Sequence, residues 1–272
     1  MAIPRALEPS GLVLVDKPVG PSSFAIVRSL RAETGARAGH TGTLDPFANG
    51  LLLVLLGAAT RLARYLVGLD KRYLTTIDLR ARTESGDRDG ARTEEREPPR
   101  RSELEERLKT FVGVIELRIP AASAVKIGGE RAYRLARQGI PVEMPLRRSE
   151  IYEARLLSYE GGRATIDLRV STGTYVRSIA DALGGHCETL RRLEVGPFSV
   201  EQADRSRILP AADALPFMPS LELDDDDLVA LRSGRTIDAA AEDRVKLLSN
   251  GRLVGVGVAR AGVIRSEVVM PV

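Results

Sequence analysis

Asp45 is the residue most readily given a chemical task. It lies in residues 39–50, GHTGTLDPFANG, directly before Pro46 and shortly after His40. Proline biases the residue before it towards an extended backbone, so this aspartate is hindered from folding its carboxylate onto its own chain. Such a carboxylate points outward and can act as a nucleophile or stabilise developing positive charge. Gly39, Gly42 and Gly50 permit the tight backbone geometry such a loop needs. Asp-Pro also begins ordinary polar turns. From these residues alone the loop is either a reactive carboxylate on a rigid support or a turn between buried elements.

Other chemistries are poorly supplied. The chain of 272 residues has two histidines and one cysteine, Cys187. That excludes a cysteine-based zinc site and an internal disulfide, and it fits a reducing, cytoplasmic setting. No metal site is expected, because ligands beyond His40 and Asp45 are absent. No secretory leader and no apolar run long enough to span a membrane is read in the chain. Lys+Arg 40 against Asp+Glu 37 leaves a net charge of only +3. The signs are nevertheless segregated. Acid collects at Asp224-Asp225-Asp226-Asp227, and arginine at Arg61, Arg64, Arg147-Arg148 and Arg191-Arg192. Those arginines suit a polyanion such as RNA, or simply a solvated surface.

The elements around Asp45 follow from periodicity. Gly11 to Val15 reads as a strand, and Ser22 or Ser23 caps a helix carrying Phe24, Val27 and Leu30 on one face, stopped at Gly35. Leu51 to Leu56 is apolar throughout, as for a strand buried on both faces. Thr60 caps a second helix with Leu62, Leu66 and Leu69 inward. Tyr73, Thr75, Ile77 and Leu79 alternate as a half-buried strand. Residues 83–101 read as a loop, and Ser102 with Glu105 as a capping box opening a helix with Leu104, Leu108 and Phe111 on one face. Glu130 to Gln138 reads as a helix ended by Gly139, residues 151–170 as a hairpin about Gly161-Gly162, and Tyr175 to Leu183 as a helix. Composition changes near Leu215, before two strands at 252–258 and 263–270. The expected fold is α+β, built from hairpins rather than crossovers, with a small β-rich C-terminal module.

The segment GHTGTLDPFANGLLLVLLGAATR resembles the signature of the TruB family of pseudouridine synthases, GH-x-G-x-LDP-x-A-x-G-x-L followed by G-x-AT. His40, Gly42, Leu44, Asp45, Pro46, Ala48, Gly50, Gly57 and Ala59-Thr60 meet its fixed positions. Further segments agree in order: Asp16-Lys17-Pro18 with Ser22-Ser23, Lys71-Arg72-Tyr73, Thr83 with Asp87 and Gly90, Ser123 to Lys126 with Ala132-Tyr133, Ser171 to Ile179, and Arg191-Arg192 with Gly196-Pro197-Phe198. The likeness spans about residues 11–200 and weakens beyond Leu215.

The resemblance implies an enzyme that isomerises uridine 55 to pseudouridine in the T arm of tRNA, without cofactor, metal or guide RNA. The implied fold is a mixed, largely antiparallel sheet of pseudouridine-synthase type over residues 1–212, with an insert lobe at 102–150. A PUA-like RNA-binding module would follow at 213–272, and a monomer is expected. By position, Asp45 is the implied catalytic aspartate, Tyr73 lies against the target base, and Arg177 pairs with Asp45. His40 packs against flipped-out nucleotides, Asp87 is linked to the site through its loop, and Lys17 and Lys126 support the framework. The family's PP-x-Y is absent, since this chain reads Ile119-Pro120-Ala121-Ala122. The alternative is a non-catalytic RNA-binding protein on the same scaffold, but an intact set of Asp45, Tyr73 and Arg177 argues against it.

Overall fold

The computed structural model describes residues 8–123, 125–138, 140, 142–238 and 243–271. The chain begins with β1 (Gly11–Lys17), α1 (Ser23–Thr34), β2 (Ala38–His40) and β3 (Asn49–Leu56). A 3₁₀ turn (Gly57–Leu62), α2 (Ala63–Leu66) and β4 (Lys71–Asp78) follow. A hairpin of β5 (Ala81–Thr83) and β6 (Arg92–Glu95) precedes α3 (Arg101–Phe111) and β7 (Gly113–Arg118). Next come β8 (Lys126–Ile127), β9 (Glu130–Arg131) and α4 (Ala132–Arg137), then the long β10 (Leu146–Glu160) and β11 (Arg163–Val170). The first part closes with α5 (Val176–Leu183), β12 (His186–Val195), β13 (Phe198–Ser199) and β14 (Asp204–Leu209). The last part holds β15 (Ser220–Glu222), α6 (Asp225–Arg232), β16 (Ile237–Asp238), β17 (Asp243–Ser249), β18 (Arg252–Arg260) and β19 (Val263–Val269).

The main sheet runs β14-β1-β3-β12-β4-β11-β10-β7, with β2 joined to β3 and β13 to β12. β3 lies inside the sheet between β1 and β12, and both its faces are apolar. Leu51, Leu53 and Leu55 enter one cluster with Leu12 and Leu14. Leu52, Val54 and Leu56 enter another with Val13, Val15 and the Ile26, Val27 and Leu30 face of α1. Burying each such side chain contributes about 2 kcal/mol, which makes β3 a firm base for the loop before it. The hairpin expectation needs one correction: β3 and β12 run parallel, with Arg191 opposite Asn49 and Arg192 opposite Gly50. This pairing aligns a row across the sheet. Lys17 lies opposite Gly50, Gly50 opposite Arg192, Arg192 opposite Tyr73, and Tyr73 opposite Leu168.

The C-terminal part forms a separate sheet, β15-β17-β18-β19-β16. Its Val256, Val268 and Met270 join the cluster of Leu12, Leu53 and Leu62, so it packs on the main sheet. The Tyr65 hydroxyl donates to Glu267 at 2.8 Å across this junction. The acid run proves structural: Asp224 caps α6 by accepting from the Asp227 N–H at 2.8 Å, and three acidic residues fill the positive first turn.

Several local expectations are revised. Residues 83–101, read as a loop, carry most of a β5–β6 hairpin that begins at Ala81, and its outer strand is fully exposed and therefore carries no apolar alternation. Helix α3 starts two residues earlier than the Ser102 capping box implies, with Arg100 at its N-cap after Pro98-Pro99. Glu103, not Glu105, accepts from the Arg100 backbone N–H at 3.0 Å, while Glu105 pairs with Arg101. Thr60 caps no helix; its hydroxyl donates to Gly57 O within the 3₁₀ turn. Phe24 is exposed, because Ile26, Val27 and Leu30 make the inner face of α1. The 130–138 helix begins only at Ala132, since Glu130 and Arg131 pair in a short hairpin with Ile127 and Lys126. Gly139 lies outside the described residues.

Candidate active site

The Asp45 loop is held from three directions. Ser22 caps α1, with its Oγ accepting from Ala25 N at 3.1 Å. This places Ser23 in the first turn, where its hydroxyl accepts from Leu44 N at 2.8 Å and donates to Leu44 O at 2.9 Å. Gly20 N donates to Pro46 O at 2.8 Å, tying the β1–α1 turn to the residue after Asp45. Leu44, Phe47 and Ala48 sink into the core beside Tyr73 and Val176. With Leu44 before it and Phe47 and Ala48 after it buried, the Asp45 side chain stays 32% exposed.

Arg177 meets that carboxylate from below. It is the second residue of α5, whose Val176, Ile179, Ala180 and Leu183 anchor the helix in the same core. Its guanidinium is 2% exposed and every arm is engaged. Nε donates to Asp45 Oδ2 at 2.9 Å, Nη1 to Ser85 O at 2.7 Å, and Nη2 to Ala122 O at 3.0 Å. Asp87 Oδ2 lies 3.5 Å from Nη1. Asp87 is itself fixed, with Oδ1 accepting from the Ser85 hydroxyl at 2.6 Å and from Asp89 N at 3.1 Å. Among the described residues nothing donates to Asp45 Oδ1. One oxygen is therefore held by a charge-assisted bond and the other faces the open side. This suits a carboxylate that reacts or stabilises charge as an ion.

Residues 28–176 match the TruB family pseudouridylate synthase (N terminal domain). The tRNA pseudouridine synthase B of Syntrophobacter fumaroxidans is 39% identical over 85% of this chain and 83% of its own length. That of Bordetella avium is 44% identical over 75% and 88%. That of Marinomonas sp. is 36% identical over 94% and 93%. The chain belongs to the TruB family of pseudouridylate synthases. Its fold is also that of more distant solved structures. A chain of an H/ACA RNP bound to a substrate RNA containing 2′-deoxyuridine superposes with a TM-score of 0.73 at 22% identity, covering 96% of this chain and 85% of its own. One from a Cbf5-Nop10-Gar1 complex gives 0.71 at 24%, covering 95% and 83%. The likeness spans both sheets, as a pseudouridine-synthase domain followed by a PUA-like one.

The remaining residues implied by the TruB family pattern take distinct places. Lys17 is fully buried and donates from Nζ to Pro18 O and Pro21 O, each at 2.9 Å, which shapes the turn that Gly20 joins to Pro46. Burial lowers its pKa to about 8, against the opposing pull of Asp45. Tyr73 belongs to the apolar cluster of Leu44, Phe47 and Ala48 and is 8% exposed. His40 ends β2 opposite Val54, with a buried Nδ1 that finds no hydrogen-bond partner among the described residues. Burial, then the Arg192 charge, lowers its pKa, so the ring is held neutral and is a poor general acid. Lys126 departs from the expected supporting place: it is exposed on the β8–β9 hairpin, because the short hairpin has little core to bury it against.

Three of the expected phosphate-binding arginines are already engaged. Arg61 donates to Val269 O at 2.5 Å, and Arg191 to both oxygens of Asp16. Arg192 is 2% exposed and bonded to the backbone of the Asp45 loop. Sequence reasoning also passed over Ser23 and Ser85 as side chains that fix the loop and Asp87. Ser22-Ser23 was legible as a cap, but the reach from Ser23 to Leu44 was not.

Proposed function

We propose that this chain isomerises uridine 55 to pseudouridine in the T arm of tRNA, with Asp45 as the catalytic carboxylate. The observation that carries this reading is the half-open Asp45 carboxylate, fixed on one oxygen by buried Arg177. Its membership of the TruB family, and relatives named tRNA pseudouridine synthase B, support tRNA as the substrate. The reaction breaks the N1–C1′ bond, turns the uracil and forms a C5–C1′ bond. The C5 proton is lost and N1 gains one, so electrons balance without an oxidant. An ionised carboxylate beside the ribose offsets the positive charge that develops as N1–C1′ breaks. Arg177 pairs with it and fixes its direction, which a lysine would do less well for want of the planar fork.

A base in a folded arm must leave its stack to meet Asp45, at a cost of about a few kcal/mol. Tyr73 offers uracil a flat face, and the neutral His40 offers packing where the base leaves. Asp87 and Lys17 hold the frame around them. Exposed Arg147 and Arg148 on β10 are suited to phosphates, and shape and loop contacts select the arm. In this reading the catalytic unit ends near residue 212, the C-terminal sheet is a PUA-like RNA-binding module, and the protein works as a cytoplasmic monomer without guide RNA. Among the described residues no helix is long and apolar enough to cross a membrane.

The test is tritium release from tRNA transcripts carrying C5-tritiated uridine, with no other RNA added. Release from the natural transcript, lost when uridine 55 is replaced by cytidine, is the expected result. Binding of both transcripts with release from neither would favour a non-catalytic RNA-binding protein.

A further inference from the structure

Arg192 is a charged side chain placed where an apolar one would pack at lower cost. Its strand alternates, so Arg191 turns outward to Asp16 while Arg192 turns in. No carboxylate lies within ion-pair distance of it among the described residues. Burying an unpaired guanidinium is expensive unless its donors are satisfied. Here they are satisfied by one short stretch of backbone. Nε donates to Leu51 O at 2.7 Å, Nη2 to Gly42 O at 3.0 Å, and Nη1 to Thr43 O at 3.4 Å. Gly42 and Thr43 precede Asp45 and Leu51 follows it, so one planar group grips the loop at both ends.

The strand pairing makes this grip possible. Gly50 has φ +105°, and a Cβ there would stand 2.2 Å from Arg192 O. Only glycine lets the end of the loop lie flat on β12. Lys17, on the other flank of Gly50, organises the turn that meets Pro46.

We propose that Arg192 is a positioning residue for Asp45: its guanidinium clasps both ends of the loop and sets where the carboxylate stands against the substrate. The proposal rests on Asp45 being the reacting group. It assigns Arg192 to the chemical step and removes it from the RNA-binding surface. Lysine retains the charge but reaches one carbonyl instead of three. A displacement of about 1 Å at a reacting group costs on the order of 100-fold in rate.

The experiment compares the full-length wild type with Arg192→Lys and Arg192→Gln. It measures single-turnover tritium release at saturating tRNA, the tRNA dissociation constant, and amide hydrogen exchange across residues 41–51. Both variants are expected to lose on the order of 100-fold in single-turnover rate. Their tRNA affinity should stay near that of the wild type, and exchange in the loop should quicken. Wild-type rate and exchange in a folded variant would overturn the proposal. So would a loss confined to tRNA affinity, the result a phosphate contact gives. Hydrogen exchange reads the loop without any turnover, so an inactive wild type would count against the tRNA reading and still leave the clasp measurable.

Discussion

The Asp45 loop and the lobe at residues 113–145 both touch Arg177, yet they are built in opposite ways. The loop is gripped by Ser23, Gly20 and Arg192 and lies on a strand buried on both faces. Among the described residues the lobe's own buried cluster is Ile119, Ala132 and Met144, while Val112, Val114 and Leu146 at its borders are exposed. It reaches the site through backbone carbonyls, Ala122 O on Arg177 and Arg118 O on Ser178. The difference separates two tasks. In the proposed reading the Asp45 carboxylate is positioned before any RNA arrives, which places electrostatic work on a rigid support. In the same reading the lightly packed lobe is the part left to adjust to a folded nucleic acid.

Substitutions around Asp45 test that division. Between substitutions at Arg177 and at the lobe's Met144, the larger effect is expected from Arg177→Lys, which cannot serve Asp45, Ser85 O and Ala122 O together. Single-turnover rate should fall on the order of 100-fold while tRNA affinity holds. A loss shared equally between rate and affinity would break the comparison. Met144→Ala should act the other way. Its cavity should destabilise the lobe by about 2–3 kcal/mol, raise KM several-fold and leave the rate at saturation unchanged. Hydrogen exchange confined to the lobe would sharpen the contrast; a fall in saturated rate would blur it.

The smallest effect is one of pH. Burial lowers Lys17 from 10.5 to about 8. Below pH 8 folded and unfolded chains both carry this proton, and the cost of burying the charge is fully present. Between pH 8 and 10.5 the unfolded chain retains a proton that the folded chain has released, so folding stability rises with pH. Denaturant titrations at pH 7.5 and pH 10 should show wild type gaining stability relative to Lys17→Met. An equal difference at both values would mean that Lys17 keeps its ordinary pKa.

How far the site was legible in the sequence depends on the kind of signal. The β3 strand was plain, because Leu51 to Leu56 is apolar at every position. Asp45 was marked by Pro46 and its glycines, but its bond to Arg177 spans 132 positions and only the family resemblance linked them. Arg192 was misread as surface charge, since a basic doublet suggests RNA. The signal passed over was strand alternation, which on β12 turns Arg191 towards Asp16 and Arg192 inward. The β5–β6 hairpin escaped because its outer strand has no buried face to leave a pattern. Glu103 displaced Glu105 as the capping partner because a cap depends on where the helix starts, within one residue.

Asp45→Asn is nearly isosteric and removes the charge alone. Its rate of tritium release from C5-tritiated tRNA, at saturating RNA and with binding measured in parallel, tests the central claim most directly. The account predicts wild-type binding with no detectable release; release at the wild-type rate would contradict it.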